Sequence, residues 1–306
     1  MPGALVVVGS VNADLYVEIE RLPARGETLA GANAAMRPGG KGANQAAAAA
    51  RLGQETWLAA QLGTDAFATP LRAALGEAGV KLDLVTAVEG ESGQAFILLQ
   101  RGGENSIIVV GGANGRWGGV GAAVRDRIAG AGALLLQREV PEEVNLAAAA
   151  AAHAGGVPVV LDAGGVDAPI APALMRLVTV FSPNETELAR LTGLPTSDDA
   201  QVLAAARRLQ AGGVATVLVK LGARGALLVP PAGEPLRQRA FPVEVVDSTG
   251  AGDCFTAAYA VAMLEGQASA ARLTFACAAA ALCVQQRGAL PSMPRRDAVE
   301  RFVAAL

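Results

Sequence analysis

The 306-residue sequence predicts an α/β fold: a doubly covered, mainly parallel sheet core with a small inserted β-sheet lid. Three observations carry this. Apolar runs alternate with helical runs along most of the chain. Those runs are continuously apolar, as strands covered on both faces are. Two stretches, 14–40 and 94–112, instead alternate polar and apolar residues around turn signals.

In chain order, "ALVVVG" (4–9), within the opening "MPGALVVVGSVNAD", reads as a short buried strand. "DLYVEIERLPARGETLAGANAAMRPGG" (14–40), with its turn signal "PARGE", reads as half-exposed antiparallel strand. "ANQAAAAARLG" and "FATPLRAALGEAG" are helical and end at a glycine stop, with the strand "TWLAAQLG" (56–63) between them. "QAFILLQRGGENSIIVVGG" (94–112) repeats the half-exposed pattern, with its turn at "RGGEN". "ALLLQ" (133–137), "VPVVLD" (157–162), "VTVFS" (178–182) and "TVLVKLG" (216–222) are further buried strands, with the helices "EEVNLAAAAAAHAGG" and "AQVLAAARRLQAGG" among them. "FPVEVV" is strand-like, and "FTAAYAVAMLEG" (255–266) propagates a helix. The expected division is a nucleotide- and sugar-binding core of residues 1–13, 41–93 and 113–306, and a lid of residues 14–40 and 94–112.

Composition narrows the function. A formal net charge of −3, with Lys and Arg scattered singly, leaves no footprint for nucleic acid. The first residues lack a charged region before a cleavage site. The run "LAAAAAAHAGGVPVVL" is too short and interrupted to span a bilayer. No membrane partner is expected, and a soluble cytoplasmic protein is. Cys254, Cys277 and Cys283 have no metal-ligand spacing and read as buried reduced thiols. The single histidine, His153, lies in an alanine-rich helix without a carboxylate pattern, so a Ser-His-Asp triad has no natural base. A general base here is a carboxylate or a lysine.

Neither a P-loop nor a dinucleotide fingerprint is present. "DSTGAGDCFTAAYA" (247–260) places Gly250 and Gly252 just before Asp253 at a helix start. Unpaired N–H groups of Ala251, Gly252 and Asp253 would there form an anion nest. Asp253 beside it suits a base for an attacking hydroxyl in phosphoryl transfer, although a helix-capping aspartate has the same pattern. "RPGGKGANQAAAAARLG" (37–53) repeats the logic: Gly39 and Gly40 let backbone meet ligand, while Lys41 and Asn44 supply a cation and an amide. Asn12 and Asp14 follow the first strand, share one face of extended chain and can grip adjacent hydroxyls. Asn184 and Glu187, one helical turn apart, can face one ligand or close a capping box. "KLGARGALLV" (220–229) is a strand, glycine turn and strand able to line a nucleotide.

"GSVNAD", "GGKGANQA", "PNETE", "KLGARG", "DSTGAGD" and "GALPSMP" stand in the order seen in the ribokinase (PfkB-type) family of carbohydrate kinases, and together they span almost the whole chain. The sequence resembles that family. The resemblance implies a ribokinase-like fold and ATP-dependent phosphorylation of a sugar hydroxyl, the 5-hydroxyl of D-ribose first, with Mg2+ and an activating K+. It implies Asp253 as base and Gly250, Ala251 and Gly252 as the anion hole. Asn12, Asp14, Gly40, Lys41, Asn44 and Glu139 (from "LQRE") would hold the sugar. Asn184, Lys220, Gly222 and Gly225 would serve the nucleotide and Glu187 its Mg2+, while Asp247, Thr249, Gly288 and Ser292 would form the K+ site. A homodimer through the lid is the expected assembly. Two departures stand out: "DAGGV" (162–166) where the family resembles "NPAPA", and Cys277 where a histidine is common near the adenine. A related kinase of fructose, a deoxy sugar acid or a nucleoside shares the pattern, as would a sugar- or nucleotide-binding regulator without turnover.

Overall fold

The computed structural model describes residues 3–101 and 104–305; Gly102 and Gly103 of the expected second turn lie outside them, as do Met1 and Pro2 of the opening run. The chain begins with β1 (Leu5–Val8), β2 (Asn12–Ile19), β3 (Asn33–Gly39) and helix α1 (Lys41–Arg51). It continues with β4 (Thr56–Leu62), α2 (Ala68–Glu77), β5 (Val85–Ala87), β6 (Gly93–Gln100) and β7 (Asn105–Val110). Strands and helices then alternate: α3 (Ala122–Ala129), β8 (Ala133–Arg138), α4 (Glu142–Ala154), β9 (Val159–Gly165), α5 (Pro172–Met175) and β10 (Val180–Ser182). After α6 (Glu185–Thr192) and α7 (Asp199–Ala211) come β11 (Thr216–Lys220), β12 (Ala226–Val229) and β13 (Leu236–Gln238). Helices α8 (Ala251–Leu264), α9 (Ser269–Cys283) and α10 (Arg296–Ala304) close the chain.

The large sheet has the order β13-β12-β11-β10-β9-β8-β1-β4-β5. It is parallel from β5 to β11, and β12 alone is reversed, pairing antiparallel with both β11 and β13. Strand β1 explains why its sequence is apolar throughout. Leu5 and Val7 enter one core layer with residues of α1, α8 and α9, while Val6 and Val8 enter the other with residues of α4 and α7. Each such side chain contributes about 1.5–3 kcal/mol on burial, and a polar residue at either parity would forfeit it.

Helices α1 and α8 pack against each other, and both are rich in wholly buried alanine: Ala46–Ala49 on one and Ala257, Ala258 and Ala260 on the other share one core layer. Small side chains let helix axes approach closely. That closeness brings the first turn of α1 within hydrogen-bond range of the first turn of α8.

The second sheet has the order β3-β2-β6-β7. Its strands were expected to be antiparallel, and the two hairpins β2-β3 and β6-β7 are. The central pair β2-β6, however, is parallel. Alternation reports a half-exposed strand and not its direction. Because α1, β4, α2 and β5 intervene, β6 returns by a crossover and lies parallel to β2. Residues 241–246, expected to be strand-like, pair with no sheet. Val246 instead donates its N–H to the carbonyl of Val284 at 2.8 Å, tying this segment to the end of α9. Among the described residues no helix is long and apolar enough to cross a membrane.

Candidate active site

The carboxyl ends of β1, β8, β9, β10 and β11 bring polar side chains together, at the usual ligand position in an open α/β sheet. Strand β3 runs directly into α1 through Gly40, whose φ of 92° belongs to the left-handed region. A β-carbon at Gly40 would lie 2.8 Å from the Asn12 nitrogen, so the position admits only glycine. Lys41 therefore begins α1 beside β2, and Asn44 follows one turn later.

Gly39 serves a different end from the close approach to ligand expected of it. A β-carbon there would overlap the Asp14 carboxylate, 2.0 Å from Oδ2, so Gly39 makes room for Asp14. Burial pushes Asp14 up to about 7, and the negative charges of Glu139 and Asp253 push in the same direction. Glu139 accepts hydrogen bonds from the Ser10 hydroxyl at 2.6 Å and from the Lys41 N–H at 3.1 Å. Asn114 donates to Asn12 Oδ1 at 2.7 Å, which leaves the Asn12 amide N–H groups to act as donors.

Asp253 stands in the first turn of α8 behind Gly250, whose φ is 79°. Asn44 donates to its Oδ2 at 2.9 Å, Gln45 to its Oδ1 at 3.3 Å, and the Lys41 ammonium lies 3.9 Å from Oδ1. Burial raises its pKa most; Lys41 and Asn44 oppose this, Asp162 and Glu139 reinforce it, and the net shift is upward. Lys41 in turn is held protonated, chiefly by Asp253. The expected nest needs one correction: the Ala251 N–H is not free but donates to the Ser248 carbonyl at 3.2 Å, because the glycine turn closes over it. Among the described residues the N–H groups of Gly250, Gly252 and Asp253 have no partner. These three face the start of the helix dipole.

Beside the nest lies an ion pair that motif reading missed. Lys220 donates to Asp162 at 2.6 Å; Thr256 donates to the same carboxylate at 2.8 Å, and the Gly164 N–H does so at 2.9 Å. Burial alone would raise Asp162, but Lys220 and Lys41 with these donors hold it below its ordinary value. The Lys220 ammonium sits 3.7 Å from where a β-carbon on Gly252 would stand, so it overlooks the nest. The "DAGGV" departure therefore supplies a carboxylate that neutralises a lysine at the end of β11.

Asn184 and Glu187 adopt the capping-box arrangement at the start of α6, with bonds of 2.8 and 2.7 Å. Each still has lone pairs for a ligand or ion, but their geometry is set by the helix. Asn184 also bridges Lys220 across the sheet end. In the β11–β12 turn, Gly222 faces open space, whereas Gly225 (φ 93°) packs against the Gln238 carbonyl.

Asp247 joins two loops: Oδ1 accepts the Thr249 N–H at 2.9 Å and Oδ2 the Gly288 N–H at 2.8 Å. Ser292 is buried, donates to the Ala289 carbonyl at 2.7 Å and lies 3.0 Å from the Cys283 sulfur. Among the described residues no hydrogen-bond donor reaches the carbonyls of Asp247, Thr249 and Gly288. Oxygen donors around a single formal charge suit a monovalent hard cation. Mg2+ needs few protein ligands when phosphates are present, and Glu187 offers the carboxylate for it. Among the described residues no group of three or more His, Cys, Asp or Glu could hold a metal alone.

Sequence reading also missed Ser10, Gln45, Asn114, Gln137 and Thr256. Ser10, Gln45 and Thr256 lie inside the quoted stretches and Gln137 ends the quoted "ALLLQ", whereas nothing local marked Asn114. His153 is exposed at the end of α4, and the three cysteines are buried and unpaired.

Comparison with known proteins follows the same outline. The model of the pfkB family carbohydrate kinases matches residues 3–296. A ribokinase of Arabidopsis thaliana is 49% identical over 305 residues, covering 98% of this chain and 80% of that protein. A ribokinase of Bacillus subtilis is 37% identical, covering 98% of this chain and 99% of that protein. The solved structure of the Arabidopsis thaliana ribokinase complexed with ribose and ATP superposes with a TM-score of 0.95 at 48% identity, covering 99% of each chain.

Proposed function

The chain belongs to the pfkB family of carbohydrate kinases, and from that premise we propose that its cleft transfers the γ-phosphoryl group of ATP to the 5-hydroxyl of D-ribose. One observation carries the chemistry. A buried carboxylate, Asp253, and the unpartnered N–H groups of Gly250, Gly252 and Asp253 occupy one helical turn. A hydroxyl placed there has a proton acceptor on one side and an anion cradle on the other.

Asn12, Asp14, Gly40, Lys41, Asn44 and Glu139 line the sugar side of Asp253. Asp253 accepts the hydroxyl proton as the oxygen attacks phosphorus, and the bond to the ADP oxygen breaks in line. Charge on the transferring oxygens falls against the helix N-terminus, with Lys41 and Lys220 as flanking cations. Mg2+ on Glu187 would neutralise charge on the phosphate oxygens, and K+ among Asp247, Thr249, Gly288 and Ser292 would stiffen the loop that presents the N–H groups. Asn184, Gly222 and Gly225 border the nucleotide.

The four-stranded sheet acts as the lid. Its edge strand β7 leaves Ile107, Ile108, Val109 and Val110 exposed, Ile108 by 60%. An exposed apolar edge calls for cover, and a second copy of the lid supplies it, giving a homodimer. A cytoplasmic setting suits an ATP-consuming chain with three free buried thiols.

The test is ADP release with a panel of pentoses, hexoses, deoxy sugars, sugar acids and nucleosides, followed by 31P NMR of the product. Ribose should give the highest kcat/KM and a 5-phosphate. A nucleoside or fructose ahead of ribose would move the substrate within the family, and no turnover with any would leave a binding protein.

A further inference from the structure

Gln45 lies beside Asp253, and among the described residues its side chain makes hydrogen bonds only to Asp253 and Gln137. It is wholly buried, as is Gln137, and the two amides are joined: Gln137 Nε2 donates to Gln45 Oε1 at 2.8 Å. That bond dictates which end of Gln45 meets the carboxylate. With its oxygen occupied, Gln45 turns Nε2 to Asp253 Oδ1 at 3.3 Å. The reverse orientation would set an acceptor oxygen against the Asp253 carboxylate on one side and the N–H groups of Gln45 against those of Gln137 on the other. Gln137 is packed tightly, although among the described residues its buried Oε1 has no hydrogen-bond partner. Its Oε1 lies only 2.0 Å from where a β-carbon on Gly9 would stand, and Asn145 fastens its backbone carbonyl at 2.6 Å.

We propose that Gln45, oriented by Gln137, is a positioning residue for Asp253: it fixes Oδ1 and favours the ionised carboxylate that can take a proton. The inference rests on the reading of Asp253 as base. The need for such a donor follows from what surrounds Asp253. Asp14 from β2, Glu139 beyond β8 and Asp162 from β9 oppose its charge. Lys41 at the start of α1 supports the charge from 3.9 Å, with Lys220 farther off over Gly252, and Cys254 on the same helix is a buried thiol. Asn44 satisfies only Oδ2. Without Gln45, Oδ1 would keep a single distant cation among three carboxylates.

The experiment measures kcat against pH from 5.5 to 9.5 with saturating ribose, MgATP and KCl, for the full chain and for Gln45→Glu, Gln137→Met and Asp253→Asn. Gln45→Glu keeps the shape and replaces the donor by a like charge. Its acid limb should move up by about 1–2 pH units, so kcat falls about 10–100-fold near pH 6 and recovers by pH 9.5. Gln137→Met frees Gln45 to rotate and should move the limb the same way by a smaller amount, with the KM for ATP unchanged. Loss by the same factor at every pH, or no loss, in both glutamine variants while Asp253→Asn is inactive would overturn the positioning role alone. Near-normal turnover in Asp253→Asn would instead overturn the base reading beneath it. Should Gln45→Glu not fold by circular dichroism, Gln137→Met decides in the same assay.

Discussion

Lys220→Met should destabilise the protein through Asp162, and the size of the effect follows from what Asp162 retains. The carboxylate is 1% exposed and bonded to Lys220 at 2.6 Å. Removing one partner of a buried pair costs about 3–5 kcal/mol because the other charge stays behind. Asp162 would keep Thr256, the Gly164 N–H and the influence of Lys41, so the expected loss falls below that range, about 2–3 kcal/mol. With an unfolding entropy of about 2.1 cal/mol/K per residue, the chain loses about 0.6 kcal/mol per kelvin, so Tm should fall by about 3–5 °C. Asp162→Asn should cost less, since the Lys220 side chain is 13% exposed and its ammonium can reach water. The double variant should be nearer the wild type than the sum of the singles. The pH dependence carries a sign. Asp162 in the intact pair is held below its ordinary value, so its contribution is present above about pH 4 and lost as pH falls through the folded pKa. In Lys220→Met burial dominates and raises the folded pKa, so the deficit should be large at pH 8 and shrink towards pH 5. Thermal unfolding of the four proteins at both pH values measures this. A fall below about 1 °C in Lys220→Met at pH 8, or strictly additive losses, would refute the reasoning.

Asp14 is buried with its folded pKa raised to about 7, so it costs stability as pH rises from its unfolded value through 7. Asp14→Asn should therefore raise Tm more at pH 8 than at pH 5, while sugar affinity falls about 5–150-fold for one unpaired hydroxyl contact; no stabilisation at pH 8 would contradict the raised pKa. Exchanging KCl for NaCl or tetramethylammonium chloride at fixed ionic strength should lower turnover or ATP affinity, and Asp247→Ala should abolish the difference. Equal rates in all three salts would remove the cation from the loop. Ile108→Lys on the exposed edge strand should shift sedimentation from dimer to monomer, and an unchanged sedimentation coefficient would exclude that edge from the interface.

The alternation of buried strands and helices was legible without coordinates, because a parallel strand covered on both faces must be apolar at every position. The glycine turns before Lys41 and Asp253 were legible too, since a chain entering a helix at positive φ leaves few residue types to choose from. So was the N-x-x-E spacing, although only the structure decided that it closes as a capping box. Spacing could not reveal the parallel pairing of β2 with β6: pleat alternation is the same whichever way a neighbour runs. Nor could it show that Gly39 yields its space to Asp14. The ion pair of Asp162 with Lys220, 58 residues apart, and the relay from Gln137 to Asp253 through Gln45 arise only when sheet order and the alanine-lined approach of α1 to α8 bring distant positions together. Local sequence determines backbone and periodicity; the balance of charge around Asp253 is set by groups from five separate elements, and only their packing determines it.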